Sequence, residues 1–252
     1  MKVYQATDYQ DMSRKAAVFV ADLVNSKQNS LLGLPTGSTP IGLYAQLVAL
    51  YQEGKIDFSE AKAVNLDEYW GLGVEDKQSY AYFMKSHLFD QINILPGNTF
   101  IQNGKAVDGP EECLRYDHIL RQLGRVDLQV LGIGMNGHIG FNEPSSVFKK
   151  STHIVDLTED TIRSNARNFC HSSEVPRQSI TMGIGTIMSA KKILLLATGS
   201  GKSKALYEAF FGDITPRLPA SILQVHPDVT IIADREAMQM WKWDDLPFLE
   251  CI

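Results

Sequence analysis

Hydrophobic positions along the chain fall into two alternating kinds of segment. Short runs rich in Leu, Val and Ile occur at 30–34 (SLLGL), 61–66 (AKAVNL), 126–131 (VDLQVL), 152–155 (THIV), 192–197 (KKILLLA without its first Lys) and 229–233 (VTIIA). Continuous apolar runs of this length predict strands buried on both faces. Between most of them lie longer stretches with apolar residues at helical spacing, at 11–25, 40–52, 110–123, 159–169 and 202–211. Strands separated by helix-length segments require right-handed crossovers, which place helices on both faces of a parallel sheet. The fold expected is therefore α/β: an open doubly wound, mostly parallel, Rossmann-like sheet. No linker, low-complexity tract or internal repeat divides the chain, so residues 1–252 are expected to form one domain.

Composition narrows the function. With 252 residues, a net charge of −5 and 44% hydrophobic residues, the chain is neither disordered nor fibrous. It lacks a Lys/Arg block, so it cannot offer the counterion-releasing surface on which nucleic-acid affinity rests, and anionic lipid would repel it. No nucleic-acid or membrane partner is expected. Three dispersed cysteines without C-x-x-C spacing support neither a disulfide framework nor a zinc site. The opening MKVYQATDYQ has no apolar leader core, and no run approaches the roughly 18 apolar residues of a membrane span. A cytoplasmic location is the expectation.

In open α/β sheets ligands bind beyond the carboxyl ends of the strands. After the first run comes Pro35-Thr36-Gly37-Ser38-Thr39-Pro40, then a helix pattern. Hydroxyls, a flexible Gly37 and unpaired N–H groups at a helix start suit a phosphate cradle, although an ordinary capped helix start has the same composition. The second run ends at Asp67-Glu68, where partial burial would raise a carboxyl pKa towards that of a useful general base; a solvated loop acid is the plainer alternative.

The third run leads into Gly132-Ile133-Gly134-Met135-Asn136-Gly137-His138-Ile139-Gly140-Phe141-Asn142-Glu143-Pro144. Its start fits G-x-G-x-x-G, with Asp156 about twenty residues on, as in a dinucleotide site. But Gly140 and Pro144 interrupt where the helix should open, so a nicotinamide or flavin cofactor is disfavoured. A glycine-rich loop holding His138 and Glu143 near a ligand fits better, since a carboxylate orients an imidazole and supports its charge. After the run ending at 197, Thr198-Gly199-Ser200-Gly201-Lys202-Ser203 mimics a Walker A loop, but Leu196 stands where that motif needs its first Gly. A flexible turn, the Lys202 charge and a helix start still suit an anion, and Arg167 on the preceding helix pattern could add a forked donor.

Together, LGLPTGSTP (32–40), NLDEYW (65–70), LGIGMNGHIGFNEP (131–144) and ATGSGK (197–202) closely resemble the glucosamine-6-phosphate deaminase family. The likeness runs over nearly the whole chain. It implies a hydrolase of amino-sugar metabolism, in N-acetylglucosamine degradation, converting glucosamine 6-phosphate and water to fructose 6-phosphate and ammonia with no cofactor or metal. By this resemblance Asp67 moves a proton from C2 to C1, His138 assists ring opening, and Glu143 stands beside it. Thr36, Gly37, Ser38, Arg167 and Lys202 match the phosphate-binding positions.

Two departures from the family pattern matter. Asn136 replaces an Asp that many members place beside the His and Glu, so Asn136→Asp should move the pH profile of turnover upward. His153 and Val155 stand where activated members carry cations, which implies a non-allosteric monomer. Two other readings remain at this stage: a 6-phosphogluconolactonase-like hydrolase, which would lack the F-N-E-P continuation, and a sugar-phosphate sensor, for which no helix-turn-helix module is evident.

Overall fold

The computed structural model describes residues 1–166, 169, 171, 174–242 and 250–251. The elements in chain order are β1 (Lys2–Ala6), α1 (Tyr9–Ser26), β2 (Leu31–Leu34), α2 (Ile41–Gln52), β3 (Lys62–Asn65), β4 (Asp67–Tyr69), α3 (Tyr80–His87), β5 (Thr99–Phe100), α4 (Gly109–Leu123), β6 (Leu128–Gly132) and β7 (His153–Asp156). They continue with α5 (Glu159–Asn165), β8 (Gln178–Thr181), α6 (Ile184–Met188), β9 (Ile193–Ala197), α7 (Ser203–Phe211), β10 (Val229–Asp234) and β11 (Glu250–Cys251).

Side chains on a strand alternate between faces, and here both faces are apolar. In β9, Ile193, Leu195 and Ala197 pack into the layer holding Tyr116 of α4, Ile187 of α6 and Leu206 of α7. Leu194 and Leu196 enter the opposite layer, with Val20 of α1, Leu47 of α2 and Met84 of α3. Each fully buried Leu, Ile, Val or Met side chain of these layers stabilises the fold by about 1.5–3 kcal/mol. The strands order as β11-β1-β10-β9-β6-β2-β3-β5, and every pairing in this sheet is parallel. The doubly wound α/β expectation is therefore met. Local chemistry sets the helix ends: Asp8 accepts the Asp11 N–H at 2.8 Å to start α1, and Asp108 accepts that of Glu111 at 2.9 Å to start α4.

The chain leaves β2 for β3 on one side, whereas β6, the other neighbour of β2, is followed in the sheet by β9. Connections that diverge in this way open a crevice at the carboxyl ends of β2 and β6.

A second, antiparallel sheet, β4-β8-β7, lies beyond the carboxyl end of β3 and corrects two expectations. The 152–155 run is not a buried strand of the parallel sheet: β7 pairs with β8 and is mostly half-buried, with Asp156 exposed. Asp67 is not a loop acid: it opens β4 and pairs with Thr181 of β8. A short apolar run cannot say which distant strand it will meet. The helix expected over 159–169 is also shorter, with α5 ending at Asn165. Among the described residues no helix is long and apolar enough to cross a membrane.

Candidate active site

At the crevice lies an open cleft of about 900 Å³, lined by Thr36, Gly37, Ser38, Asp67, Tyr80, His138, Phe141, Thr161 and Lys202, among others. It brings together groups contributed by β2, β4, β6, α3, α5 and the turn before α7.

The β2 turn is held from beneath. The Tyr44 hydroxyl of α2 donates to the Pro35 carbonyl, and the Tyr9 hydroxyl of α1 donates to Ser38 O at 3.1 Å. The Gly42 N–H in turn donates to the Tyr9 oxygen at 2.7 Å. Gly37 has φ +93°, a conformation that L side chains rarely adopt, so glycine is required there. Across the cleft, Asp234 at the end of β10 fixes the turn that carries Lys202. Its carboxylate accepts from the Thr198 hydroxyl and from the Gly199 N–H at 3.0 Å. Hydroxyls, a glycine turn and a lysine thus line one volume, a set suited to a phosphate.

Asp67 stands deeper and is only 6% exposed. Burial, reinforced by the neighbouring Glu68 charge, pushes its carboxyl up to about 8, with the Phe141 N–H offsetting part of the rise. The Leu66 carbonyl just before it accepts the Met182 N–H at 2.6 Å and the Gln102 amide at 3.0 Å, so the backbone that aims Asp67 is fastened on two sides. A buried carboxyl tuned to this range is a serviceable proton carrier near neutrality.

The loop after β6 folds back on itself, with the Gly134 N–H donating to His138 O at 2.9 Å and the Gly137 N–H to Gly134 O at 3.1 Å. His138 Nδ1 lies 3.6 Å from Glu143 Oε2, an ion-pair distance longer than a hydrogen bond. Asn136 links the two residues: its amide donates to Glu143 Oε2 at 2.7 Å, and its oxygen accepts the backbone N–H of His138 at 3.2 Å. Thr158 and Thr161, in the first turn of α5, donate their hydroxyls to the other Glu143 oxygen. Burial pushes Glu143 up, but His138, Thr161 and Asn136 outweigh it and bring the carboxyl down to about 2. Glu143 is therefore a fixed negative charge beside the imidazole, whereas burial holds the Asp67 carboxyl close to neutrality.

Of the residues expected from the sequence, Thr36, Gly37, Ser38, Asp67, His138 and Lys202 line the cleft directly. Asn136 and Glu143 support His138 from behind. Arg167 lies outside the described residues. Asp156, the acid of the rejected dinucleotide reading, bonds to Gln178 on the surface and takes no part. Tyr80, Phe141 and Thr161 were not anticipated. Thr161 carried a local signal, since Thr158 and Thr161 bracket the start of the helix pattern; Tyr80 had only the Ser79 cap before it.

His153 and Val155 line a second cavity of about 740 Å³ on the far side of Glu143. Among the described residues no group of three or more His, Cys, Asp or Glu could hold a metal ion.

The family model for glucosamine-6-phosphate isomerases/6-phosphogluconolactonase matches residues 7–232. The chain is similar to the glucosamine-6-phosphate deaminase of Thermoanaerobacter pseudethanolicus, 50% identical over 252 residues and covering all of both chains. That of Lachnoclostridium phytofermentans is 55% identical over 232 residues, 92% of this chain and 98% of the relative. The solved structure of a monomeric glucosamine-6-phosphate deaminase superposes with a TM-score of 0.94 at 45% identity, covering 96% of this chain and 100% of that one. A 6-phosphogluconolactonase from Thermotoga maritima covers 92% of this chain and 99% of its own with a TM-score of 0.75, but at 20% identity it shares the fold alone. Matched along its whole length by such relatives, the chain belongs to the glucosamine-6-phosphate isomerase/6-phosphogluconolactonase family, among its glucosamine-6-phosphate deaminases.

Proposed function

We propose that this protein converts glucosamine 6-phosphate and water to fructose 6-phosphate and ammonia, as a cofactor-independent hydrolase of amino-sugar catabolism. The observation that carries this reading is the convergence, in one cleft, of a phosphate-suited turn, a proton-carrying Asp67 and a His138 backed by a fixed carboxylate. Thr36, Gly37, Ser38 and Lys202 hold the phosphate, and Arg167 is assigned the same role on resemblance. A phosphate held at one end makes attack on the other an effectively intramolecular event.

His138 carries the proton that leaves the C1 hydroxyl and arrives at the ring oxygen as the pyranose opens, with Glu143 supporting the imidazolium. Asp67 then takes the C2 proton as the substrate's ammonium yields one to O1, giving an enolamine, and returns its proton to C1, leaving a protonated imine at C2. Water adds at C2 and ammonia departs. Burial sets the Asp67 carboxyl at about 8, close enough to neutrality for it to give and take a proton. The substrate's own ammonium, bound beside it, favours the ionised base, so substrate and catalyst are matched in charge.

The protein acts as a cytoplasmic monomer formed by a single domain, without allosteric activation: His153 and Val155 give the second cavity no pair of fixed cations for an effector phosphate. Ammonia release from glucosamine 6-phosphate tests the activity. Acid release from 6-phosphogluconolactone without ammonia would replace this reading with the hydrolase alternative, and a sigmoidal rate curve would overturn the lack of activation.

A further inference from the structure

Asp67 and Glu68 are consecutive in β4, so their side chains leave opposite faces of the strand. Asp67 enters the cleft; Glu68, 1% exposed, does not line it. The Glu68 carboxylate instead accepts three backbone N–H groups, from Tyr69 at 2.8 Å, Tyr80 at 2.9 Å and Ala81 at 2.8 Å. Tyr80 and Ala81 open α3, where N–H groups have no partner within the helix. That helix already has a local cap, because Ser79 Oγ accepts the Tyr82 N–H at 3.0 Å. It is thus capped twice, and only the second cap ties it to the strand bearing Asp67.

A helix cap alone needs no buried charge, since an exposed Ser or Asp supplies one without the desolvation cost. What the buried carboxylate adds is position. Tyr80, the first residue of α3, lines the cleft, and its ring packs 4.7 Å from that of Tyr69 and stacks on Phe141 at 5.8 Å with an interplanar angle of 15°. The Phe141 ring in turn lies 6.4 Å from His138. Glu68 therefore joins the strand of the proton carrier to the aromatic wall that leads to the histidine.

We infer that Glu68 is a positioning residue for the deamination: by anchoring the first turn of α3 to β4, it fixes the Tyr80 ring as the wall that holds the sugar against Asp67. This rests on the reading of the cleft given above. Nothing in it requires Glu68 to touch substrate.

The test compares the parent with E68Q, S79A, Y80A and E68Q/Y80A, measuring kcat and KM for glucosamine 6-phosphate together with Tm. E68Q keeps the shape but loses the charge and turns an amide towards an N–H. In E68Q, which keeps the Tyr80 hydroxyl that meets Thr36 and every residue of the phosphate turn, loss of a fixed wall should lower kcat about tenfold or more, with KM within about threefold. S79A removes the local cap, so it should lower Tm without that loss of kcat. Because Glu68 acts through Tyr80, the double variant should be no worse than Y80A beyond about threefold.

The inference is overturned if E68Q keeps kcat within about twofold of the parent, if S79A matches its loss, or if the two losses multiply. Should E68Q fail to fold, Y80A decides: a tenfold fall in kcat supports the role, and parent-like kcat overturns it. A parent that releases no ammonia overturns the activity itself, and this role with it; an active parent with an unimpaired E68Q overturns only the role of Glu68.

Discussion

A Cβ on Gly134 would lie 2.4 Å from both Cε1 and Nδ1 of His138, so the imidazole rests directly on the Gly134 backbone. Gly134 is not among the glycines with positive φ, so it is this close approach, and not backbone strain, that excludes a side chain. Gly134→Ala should therefore push the ring away from Glu143 while leaving the main chain intact. Turnover is expected to fall by roughly 10–100-fold, the scale of displacing a catalytic group by about 1 Å, with little change in Tm. Parent-like kcat in a folded G134A protein would refute this placement of His138.

Asp67→Asn should separate activity from stability. Loss of the proton carrier should reduce kcat by roughly 10²–10⁴-fold. The folded carboxyl sits at about 8 against an ordinary 3.8, so its contribution to stability is full below pH 3.8 and is lost as pH rises towards 8. Replacing the acid by a neutral amide should then raise Tm at pH 8, by ~2–8 °C if ~1–2 kcal/mol is recovered. Thermal unfolding of both proteins at pH 4 and pH 8 checks the sign: a gain that is equal at the two values would contradict the titration.

Glu143 predicts the opposite dependence. Its folded carboxyl lies at about 2 against an ordinary 4.5, so its stabilisation is present above pH 4.5 and disappears as pH falls through about 2. Glu143→Gln should cost ~2 kcal/mol at pH 7, lowering Tm by ~4–8 °C. The gap between the two proteins should shrink as the pH is lowered to 3. A gap independent of pH would mean that the charge of Glu143 contributes nothing.

Asn136 makes the third contact within this cluster testable. Its amide nitrogen sits 2.7 Å from Glu143 Oε2, so Asn136→Asp sets a second carboxyl beside the first and adds negative charge to the cluster around the imidazole, which favours binding a proton there. The pH profile of turnover should therefore move upward. Superimposable profiles from the two proteins would reject the coupling.

Much of this site was legible before any contact was known. Gly37, His138 and Glu143 announced themselves because a turn or a close approach selects glycine, and because glycines flanking a histidine mark a loop that packs tightly. Asp67 was found by its place after an apolar run, although neither its near-complete burial nor its membership of β4 followed from that. Glu68 was met only as the acid beside Asp67, and its hold on α3 did not follow, because its three partners include residues twelve and thirteen positions away, on a helix that was not expected. Nothing in the sequence singled out Tyr44 and Tyr9, whose hydroxyls hold the turn after β2.

The chain's own pattern of apolar runs and glycines determined the parallel sheet, its helices and the turns that carry the chemistry, because strand and helix periodicity are properties of the local backbone. Tertiary structure alone decided that β4 would pair with a strand more than a hundred residues away, that Asp67 would lose its water, and that two threonines of α5 would hold Glu143. Those outcomes depend on which distant surfaces pack together and how completely they exclude solvent, and no short window of residues contains that information.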